Sequence, residues 1–149
     1  MGSIGKLMTT ALNGIDELAD NFELLGDWES RFGYLIDLGK ELPPMDEADK
    51  CDANRVHGCQ AQVWMKLVAE ADGRITIVAD SDAFIVKGLI AVLLTISSGK
   101  TTPEILDTDA QAQLDRLQLA SHLSPTRKNG LFAMVKRVRE LAQTEGAEA

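Results

Sequence analysis

Apart from its many carboxylates, the chain has four side chains that could carry covalent or acid–base chemistry: Cys51, Cys59, His57 and His122. Cys59 is the strongest candidate, because it directly follows Gly58 and lies between an acidic segment and a predicted strand. Glycine removes side-chain bulk beside the sulfur and permits backbone angles that other residues avoid. A cysteine in this position can occupy a loop tip and reach into the cleft of another protein. The alternative is a small, buried, inert cysteine.

The other three side chains have plainer interpretations. We favour a surface or packing role for His57 over that of a catalytic base. We expect His122 to be structural. Chance occupancy is the leading interpretation of Cys51, although a disulfide with Cys59 stays open. A zinc site is weakly indicated, because the usual ligand spacings are absent and no fourth ligand can be named.

Composition limits the class of protein. A chain of 149 residues, 45% hydrophobic and 26% charged, is typical of one soluble globular domain. A net charge of −8 argues against a nucleic acid partner. The longest apolar stretch, residues 88–96, is about half of the ~20 residues that a membrane span requires, so we expect no membrane association. Two cysteines are too few for a disulfide framework, and we expect a reducing, cytoplasmic location.

Two helices are predicted before residue 43. The first carries apolar residues from Leu12 to Phe22 at helical spacing and ends at Gly26. The second is capped by Asp27 and ends at the proline pair that begins with Pro43. Together they form an N-terminal helical hairpin. The acidic residues 45–54 have no apolar periodicity and predict an exposed connection.

Alternating residues predict a β-hairpin in the middle of the chain. Residues 63–69 alternate, Asp72-Gly73 turns the chain, and residues 75–79 return. Residues 55–57 could add a third strand, because a lone hairpin is marginally stable in water.

Helices are predicted for the rest of the chain. Asp80-Ser81-Asp82 offers capping oxygens to a helix that is apolar on nearly all sides and therefore belongs in the core. Thr102-Pro103 and Ser124-Pro125 have the pattern of further helix starts. The sequence thus predicts an α+β fold: an N-terminal helical hairpin, a small antiparallel sheet of two to three strands, and several C-terminal helices packed on it. We expect one domain over residues 1–149, with residues 1–8 and 143–149 flexible.

Three separated blocks of the sequence carry a family resemblance. The first is Gly-Cys-Gln-Ala-Gln-Val-Trp at residues 58–64. The second is Asp-Ser-Asp-Ala at 80–83 with Ile-Val-Lys-Gly-Leu-Ile-Ala at 85–91. The third is His-Leu-Ser-Pro-Thr-Arg at 122–127, followed by Asn-Gly-Leu at 129–131 and Ala-Met at 133–134. In order and spacing, over roughly residues 22–141, the chain resembles the SufE-like sulfur acceptors, a family that includes the CsdE-type branch and serves cysteine desulfurases in iron–sulfur cluster assembly.

The resemblance implies a persulfide carrier. In this family a desulfurase uses pyridoxal phosphate to move sulfur from L-cysteine onto its own cysteine, and the acceptor cysteine, here Cys59, then removes that sulfur. The implied partners are a cysteine desulfurase and a downstream iron–sulfur scaffold complex, and the chain itself needs no cofactor. The protein would be an accessory to the desulfurase, whose activity it stimulates, rather than an autonomous enzyme. The fold would resemble that of the U-type cluster scaffolds.

The carrier interpretation gives further residues a role. Arg55, Gly58, Gln60, Asp82 and Arg127 would support the cysteine loop or contact the partner. Capping and surface charge are the alternatives for Asp82 and Arg127. Because the net charge is −8, recognition of an acidic enzyme must depend on local patches, such as those near Arg55 and Arg127. We expect the thiol to pack against apolar neighbours at rest and to swing outward on docking.

Two rival functions stay open. The chain could be a cluster scaffold, although a scaffold needs several thiolate ligands for each cluster. It could also be a redox protein that cycles between thiols and a Cys51–Cys59 disulfide, or Cys51 could resolve a persulfide on Cys59.

Overall fold

The computed structural model describes residues 14–148. In chain order its helices and strands are α1 (Ile15–Leu25), α2 (Trp28–Lys40), β1 (Val63–Ala69), β2 (Arg74–Ser81), α3 (Phe84–Ser97), β3 (Lys100–Thr101), α4 (Thr102–Asp107), α5 (Ala110–Arg116) and α6 (Pro125–Glu148). Short 3-10 turns cover Glu47–Asp49, Asp52–Asn54 and Ala120–His122. This order confirms the predicted α+β architecture of a helical hairpin, a small antiparallel sheet and C-terminal helices.

The turn between α1 and α2 forms as its sequence predicts. Gly26 has a φ of 80° and donates its N–H to the carbonyl oxygen of Phe22, which ends α1. The side chain of Asp27 accepts the N–H of Ser30 and caps α2. Leu12 and the expected flexibility of residues 1–8 lie outside the described residues.

The sheet is antiparallel, with β2 in the centre between β1 and β3. Val63 pairs with Ser81 at one end of the β1–β2 hairpin, and Gly73, at a φ of 88°, makes the turn at the other end. The predicted strand at residues 55–57 is reduced to one bridge between Arg55 and Trp64. The third strand is instead the two-residue β3, which pairs with the start of β2.

Helix α3 lies in the core, as its nearly continuous apolar sequence predicts, with buried residues on most of its sides. It crosses α2 at two glycines. A Cβ added to Gly39 would lie 2.6 Å from the backbone nitrogen of Gly88, and one added to Gly88 would overlap the carbonyl oxygen of Leu35. Because backbone atoms occupy these spaces, neither position can hold a side chain without moving a helix.

The predicted cap of α3 is wrong. Asp80 and Ser81 belong to β2, and the N-cap is Ala83, which makes no side-chain capping bond. The N-cap of α4 is Thr101, in a capping box with Glu104, one residue before the predicted Thr102.

The acidic connection before the sheet is more ordered than its composition predicts. Residues 45–54 contain two of the 3-10 turns, and Met45 is buried in a segment that is otherwise mostly exposed. At the other end of the chain, α6 continues to Glu148, and the expected flexibility of residues 143–149 stays a prediction. Within residues 14–148, no helix is both long enough and apolar enough to span a bilayer.

Candidate functional site: the cysteine loop and its pocket

Cys59 lies in a loop that leaves the sheet edge and returns to it. Val56 donates its N–H to the carbonyl oxygen of Val63 at 2.8 Å, and Arg55 forms the bridge to Trp64, so the two ends of the loop are held together. We call residues 57–62 the cysteine loop. Val56 and Val63 are fully buried, which anchors the base of the loop in the core.

Gly58 allows the cysteine loop to lie close to α6. Its φ is +90°, in the left-handed region that favours glycine. A Cβ at this position would also lie 3.3 Å from the Cβ of Ala133, which is tighter than an ordinary contact. Both facts give a physical reason for the glycine that precedes the cysteine.

The thiol of Cys59 rests against the same helix. Its Sγ lies 3.6 Å from the carbonyl oxygen of Gly130, in a hydrogen bond in which the thiol donates. A Cβ added to Gly130 would lie 3.7 Å from that sulfur. That is an ordinary van der Waals distance, so the close packing of the cysteine loop on α6 requires a glycine at position 58 but not at position 130.

This position favours the protonated thiol. Partial burial raises the pKa of Cys59 above its ordinary value, and the guanidinium of Arg55 opposes that rise only in part. The carbonyl of Gly130 acts in the same direction as burial, because a thiolate cannot donate the hydrogen bond described above. At neutral pH the resting side chain is thus a thiol and needs activation before it can act as a nucleophile.

The sulfur faces an open pocket of about 400 Å³. All three sequence blocks that carry the family resemblance contribute to its walls. From the first two blocks the lining residues are Cys59, Gln60, Ala61, Ala83, Val86 and Leu89. From the third they are Ser124, Thr126, Arg127, Gly130, Leu131 and Met134. Segments far apart in sequence therefore meet around one thiol.

Two predicted cations are available near the sulfur. Arg127 is exposed and lines the pocket, and Arg55 is close enough to influence the pKa of Cys59. Within the described residues, neither guanidinium has a hydrogen bond or an ion pair, so both charges are free to meet an anionic group. The backbone N–H of Arg127 does bond to the hydroxyl of Ser124 at the start of α6.

Asp82 ties the far end of the cysteine loop to the start of α3. Its carboxylate accepts the N–H of Gln62 at 3.0 Å, and its own N–H donates to the carbonyl oxygen of Gln62 at 3.3 Å. The expectation that Asp82 borders the loop therefore agrees with its position, whereas its alternative role as a helix cap does not. Gln60 is exposed and lines the pocket.

Sequence reasoning missed a charged cluster formed by Asp80, Lys50 and Lys87. Asp80 is buried, and its carboxylate contacts the ammonium groups of Lys50 and Lys87 at 3.4 and 3.5 Å. The ammonium of Lys50 also lies 5.7 Å from the ring centre of Trp64. These contacts join the acidic connection to the sheet and to α3. The available signal was a charged residue, Asp80, at the end of an otherwise alternating strand.

The remaining candidates do not join the pocket lining. His57 is exposed, as the surface interpretation predicts. His122 stacks on Trp28 with ring centres 3.8 Å apart, a structural contact. Cys51 is exposed, and both cysteines are free. Among residues 14–145, whose side chains the structure describes, no group of three or more His, Cys, Asp or Glu side chains is placed to hold a metal ion.

Fold and site together define a small α+β protein that holds one partly buried cysteine at the wall of an open pocket. Comparison with known proteins gives the family. Residues 16–142 match the family described as SufE, Fe-S metabolism associated domain, and the chain belongs to this family. Membership implies a sulfur-transfer role in iron–sulfur metabolism.

Curated relatives agree with this assignment, and a solved structure shares the fold. The chain is 40% identical over 135 residues to an uncharacterized SufE-like protein of Rhizobium meliloti, covering 89% of this chain and 96% of the relative. It is 42% identical over 136 residues to one of Rhizobium etli, covering 89% and 92%. The solution structure of a hypothetical protein from Thermus thermophilus has a TM-score of 0.71 at 20% identity, covering 87% of this chain and 93% of the other, which shows a shared fold.

Proposed function

We propose that the protein accepts sulfur from a cysteine desulfurase onto Cys59, stimulates that enzyme by removing its product, and delivers the sulfur for iron–sulfur cluster assembly in the cytoplasm. The observation that carries the proposal is the position of Cys59. This residue directly follows a left-handed glycine in the cysteine loop, and it lies at the wall of an open pocket built from all three sequence blocks.

The proposed step is a thiol exchange with no net oxidation. The thiolate of Cys59 attacks the outer sulfur of the donor persulfide, a new S–S bond forms, and the S–S bond in the donor breaks. The electron pair of the broken bond leaves with the donor sulfur as a thiolate. The proton lost by Cys59 is available to that leaving group. The acceptor ends as a persulfide and the donor as a thiol.

We propose that Cys59 is activated only in the complex with the desulfurase. Because burial raises the pKa of Cys59, the isolated protein holds a weak nucleophile that is protected from unwanted reaction. Removing the sulfur from its contact with Gly130 would end the hydrogen bond that favours the thiol. We therefore place the swing of the cysteine loop and the loss of the proton after docking. Arg55 and Arg127 would then stabilise the thiolate or contact the donor.

The number and placement of the cysteines favour a sulfur carrier over a cluster scaffold or a two-cysteine redox protein. A scaffold needs several thiolates, and the chain has two cysteines in all. A redox cycle would require Cys51 and Cys59 to meet, yet Cys51 is exposed before a 3-10 turn while Cys59 packs on α6. The carrier needs Cys59 alone.

The decisive experiment follows one sulfur atom. The protein is incubated with a purified cysteine desulfurase and L-cysteine, and intact and peptide mass spectrometry then locate any added sulfur. We expect one additional sulfur atom on the peptide that contains Cys59. We also expect the wild-type protein to increase desulfurase turnover, and Cys59→Ser to abolish both effects.

Cys51→Ser is the matched control, because it removes the other thiol of the chain. The carrier proposal predicts that this variant accepts sulfur as the wild type does. Loss of acceptance in Cys51→Ser would favour the redox alternative. A stable, visible-absorbing cluster on the reconstituted wild-type protein would favour the scaffold.

A further inference from the structure

The pocket beside Cys59 has the size and the lining of a binding site for a small molecule. Its volume of about 400 Å³ lies within the range of roughly 300–1,000 Å³ that is typical of such sites. Its apolar wall is formed by Val86, Leu89, Leu131 and Met134, and the lining also includes the hydroxyl residues Ser124 and Thr126. In sites of this kind the apolar wall supplies most of the contact, and a few polar groups fix the orientation of the ligand.

Arg127 gives the pocket its charge. Among the described residues that line the pocket, it is the only charged one. It is exposed, and its guanidinium has no hydrogen bond or ion pair within residues 14–145. A free guanidinium offers parallel N–H groups that match the two oxygens of a carboxylate. The pocket therefore favours an anionic ligand, and a carboxylate above all.

Nearby charges do not cancel that of Arg127. The carboxylate of Asp82 is outside the pocket lining and accepts the N–H of Gln62 at the far end of the cysteine loop. Arg55 is close enough to the sulfur to act on the pKa of Cys59. Two guanidiniums thus stand against one carboxylate, so the surroundings of the sulfur are positive in a chain whose net charge is −8.

Helix α6 places Arg127 close to the sulfur. The Sγ of Cys59 contacts the carbonyl oxygen of Gly130, which is three residues after Arg127, or about 4.5 Å along the helix axis. Arg127, Gly130, Leu131 and Met134 have the i, i+3, i+4, i+7 spacing of one helix face, and all four line the pocket. A short ligand whose carboxylate binds Arg127 would therefore have its other end within reach of the thiol.

We infer that the pocket binds a low-molecular-weight persulfide that carries a carboxylate, such as a persulfide of cysteine or of a short cysteine-containing peptide, and that Cys59 takes its outer sulfur. This activity goes beyond the proposed function, because no partner protein takes part. A small donor enters the open pocket beside the resting thiol, so the cysteine loop need not swing outward. Since that thiol is largely protonated, the reaction is slower at neutral pH than loading within a protein complex.

The step needs no oxidant or reductant. The ionised fraction of Cys59 attacks the outer sulfur of the small persulfide, and a new S–S bond forms while the S–S bond of the donor breaks. The electron pair of the broken bond leaves with the inner sulfur of the donor as a thiolate. That thiolate takes up the proton that Cys59 lost. The products are a persulfide on Cys59 and a free small thiol.

Alkylation measures the preference of the pocket for an anion. Iodoacetate and iodoacetamide react through the same carbon, but only iodoacetate is negatively charged. The ratio of their rate constants at one pH cancels the ionised fraction of the thiol. We expect this ratio to be about threefold to fivefold higher at Cys59 than at Cys51, the exposed thiol of the same chain. Peptide mass spectrometry gives the rate constants at both cysteines.

Variants of Arg127 assign the preference to its guanidinium. Arg127→Gln should remove most of the difference between the two cysteines, and Arg127→Lys should retain part of it. Lys128→Gln is the matched control, since Lys128 is exposed and lies outside the pocket lining. It should behave like the wild type. Thermal unfolding confirms that each variant is folded.

Sulfur transfer is tested in Cys51→Ser, in which Cys59 is the only thiol. N-acetylcysteine persulfide has a free carboxylate, whereas its methyl ester has none. With no desulfurase present, we expect the acid to add one sulfur atom to Cys59 several-fold faster than the ester does. Arg127→Gln in the same background should remove that difference. Intact mass spectrometry follows the added sulfur.

The outcomes separate this inference from the proposed function. Equal alkylation ratios at the two cysteines, an unchanged preference in Arg127→Gln, equal loading by acid and ester, or no loading by either would each overturn the inference. None of these results bears on loading by a desulfurase and L-cysteine, which tests the proposed function. Conversely, if the desulfurase fails to load Cys59 while N-acetylcysteine persulfide succeeds, the proposed function fails and the inference stands.

Discussion

The Sγ of Cys59 lies 3.6 Å from the carbonyl oxygen of Gly130, a residue 71 positions later in the chain. The contact joins the cysteine loop to the second turn of α6 and assigns the thiol the role of donor. A carbonyl dipole in this position disfavours a thiolate, as partial burial does. The sulfur that we propose as the persulfide acceptor is thus held in its less reactive, protonated form.

The first prediction concerns the pH dependence of this thiol. Because its pKa is raised, alkylation of Cys59 by iodoacetamide should show an apparent pKa above the value of about 8.5 for free cysteine. Arg55→Gln should move it higher still, since Arg55 lowers the pKa. Peptide mass spectrometry against pH measures both. An apparent pKa at or below that of free cysteine would contradict the resting geometry.

The same shift has a consequence for stability. The folded state favours the protonated thiol, so its contribution is fully present below the pKa of the unfolded thiol and is lost as pH rises through the higher folded value. Wild-type protein should therefore lose more stability than Cys59→Ser between neutral and alkaline pH. Urea unfolding of both proteins at several pH values checks the sign.

The second prediction is that Gly58→Ala disrupts the cysteine loop. The new side chain must adopt a left-handed backbone, at a cost of about 1–2 kcal/mol, and its Cβ would press against that of Ala133. We expect a loss of about that size in urea unfolding and faster alkylation of Cys59. Gly33→Ala is the control, because its added Cβ meets nothing within 4 Å. It should stabilise α2 by about 0.5–1 kcal/mol.

The third prediction concerns the tie between Asp82 and Gln62. Asp82→Ala removes an acceptor at 3.0 Å from the amide of Gln62, and we expect a cost of about 1 kcal/mol with faster hydrogen exchange at that amide. Asp72→Ala removes an equivalent bond, also 3.0 Å, to the N–H of Arg74 in the hairpin turn. Only the first variant should alter exchange in the cysteine loop and the rate of sulfur acceptance. Equal effects would assign Asp82 a general structural role.

The fourth prediction separates Arg127 from its neighbour. Arg127→Gln removes a cation from the pocket wall, and we expect the desulfurase concentration for half-maximal loading to rise several-fold with stability unchanged. Lys128→Gln removes an exposed cation that does not line the pocket. That variant should load as the wild type does. If both variants lose loading equally, total charge rather than the position of Arg127 is responsible.

Local signals predicted the elements whose ends are determined by neighbouring residues. Gly26 and Asp27 end one helix and begin the next, as their chemistry requires. Strand β3 could not be predicted, because its two residues are extended only through pairing with β2. The short helix α5, capped by Asp109, was also missed. The sequence 80–82 resembles a cap, but Asp80 and Ser81 continue the strand because their hydrogen-bonding partners lie in β1.

The candidate site likewise has residues that the sequence could identify and residues whose roles depend on tertiary packing. Cys59 and Gly58 could be singled out from the sequence, because they belong to the block at residues 58–64 that carries the family resemblance. The roles of Gly130 and Ala133 depend on the packing of α6 against the loop, which no local spacing encodes. The family resemblance included the block that contains Gly130 and Ala133 but gave no physical role for these residues. Their contacts with Cys59 and Gly58 in the structure supply that role. The pairing of Asp80 with two lysines likewise depends on tertiary placement.

The contact between Gly39 and Gly88 also limits how the pocket can open. Val86 and Leu89, which form part of its wall, flank one of these glycines on α3. Since the backbones of α2 and α3 touch, the α3 side of the pocket cannot move outward without separating these two helices. Any enlargement of the pocket must come from the opposite side, which the cysteine loop and α6 form. Adaptation to a new partner could therefore proceed through substitutions on that opposite side, while the two glycine positions would tolerate almost none.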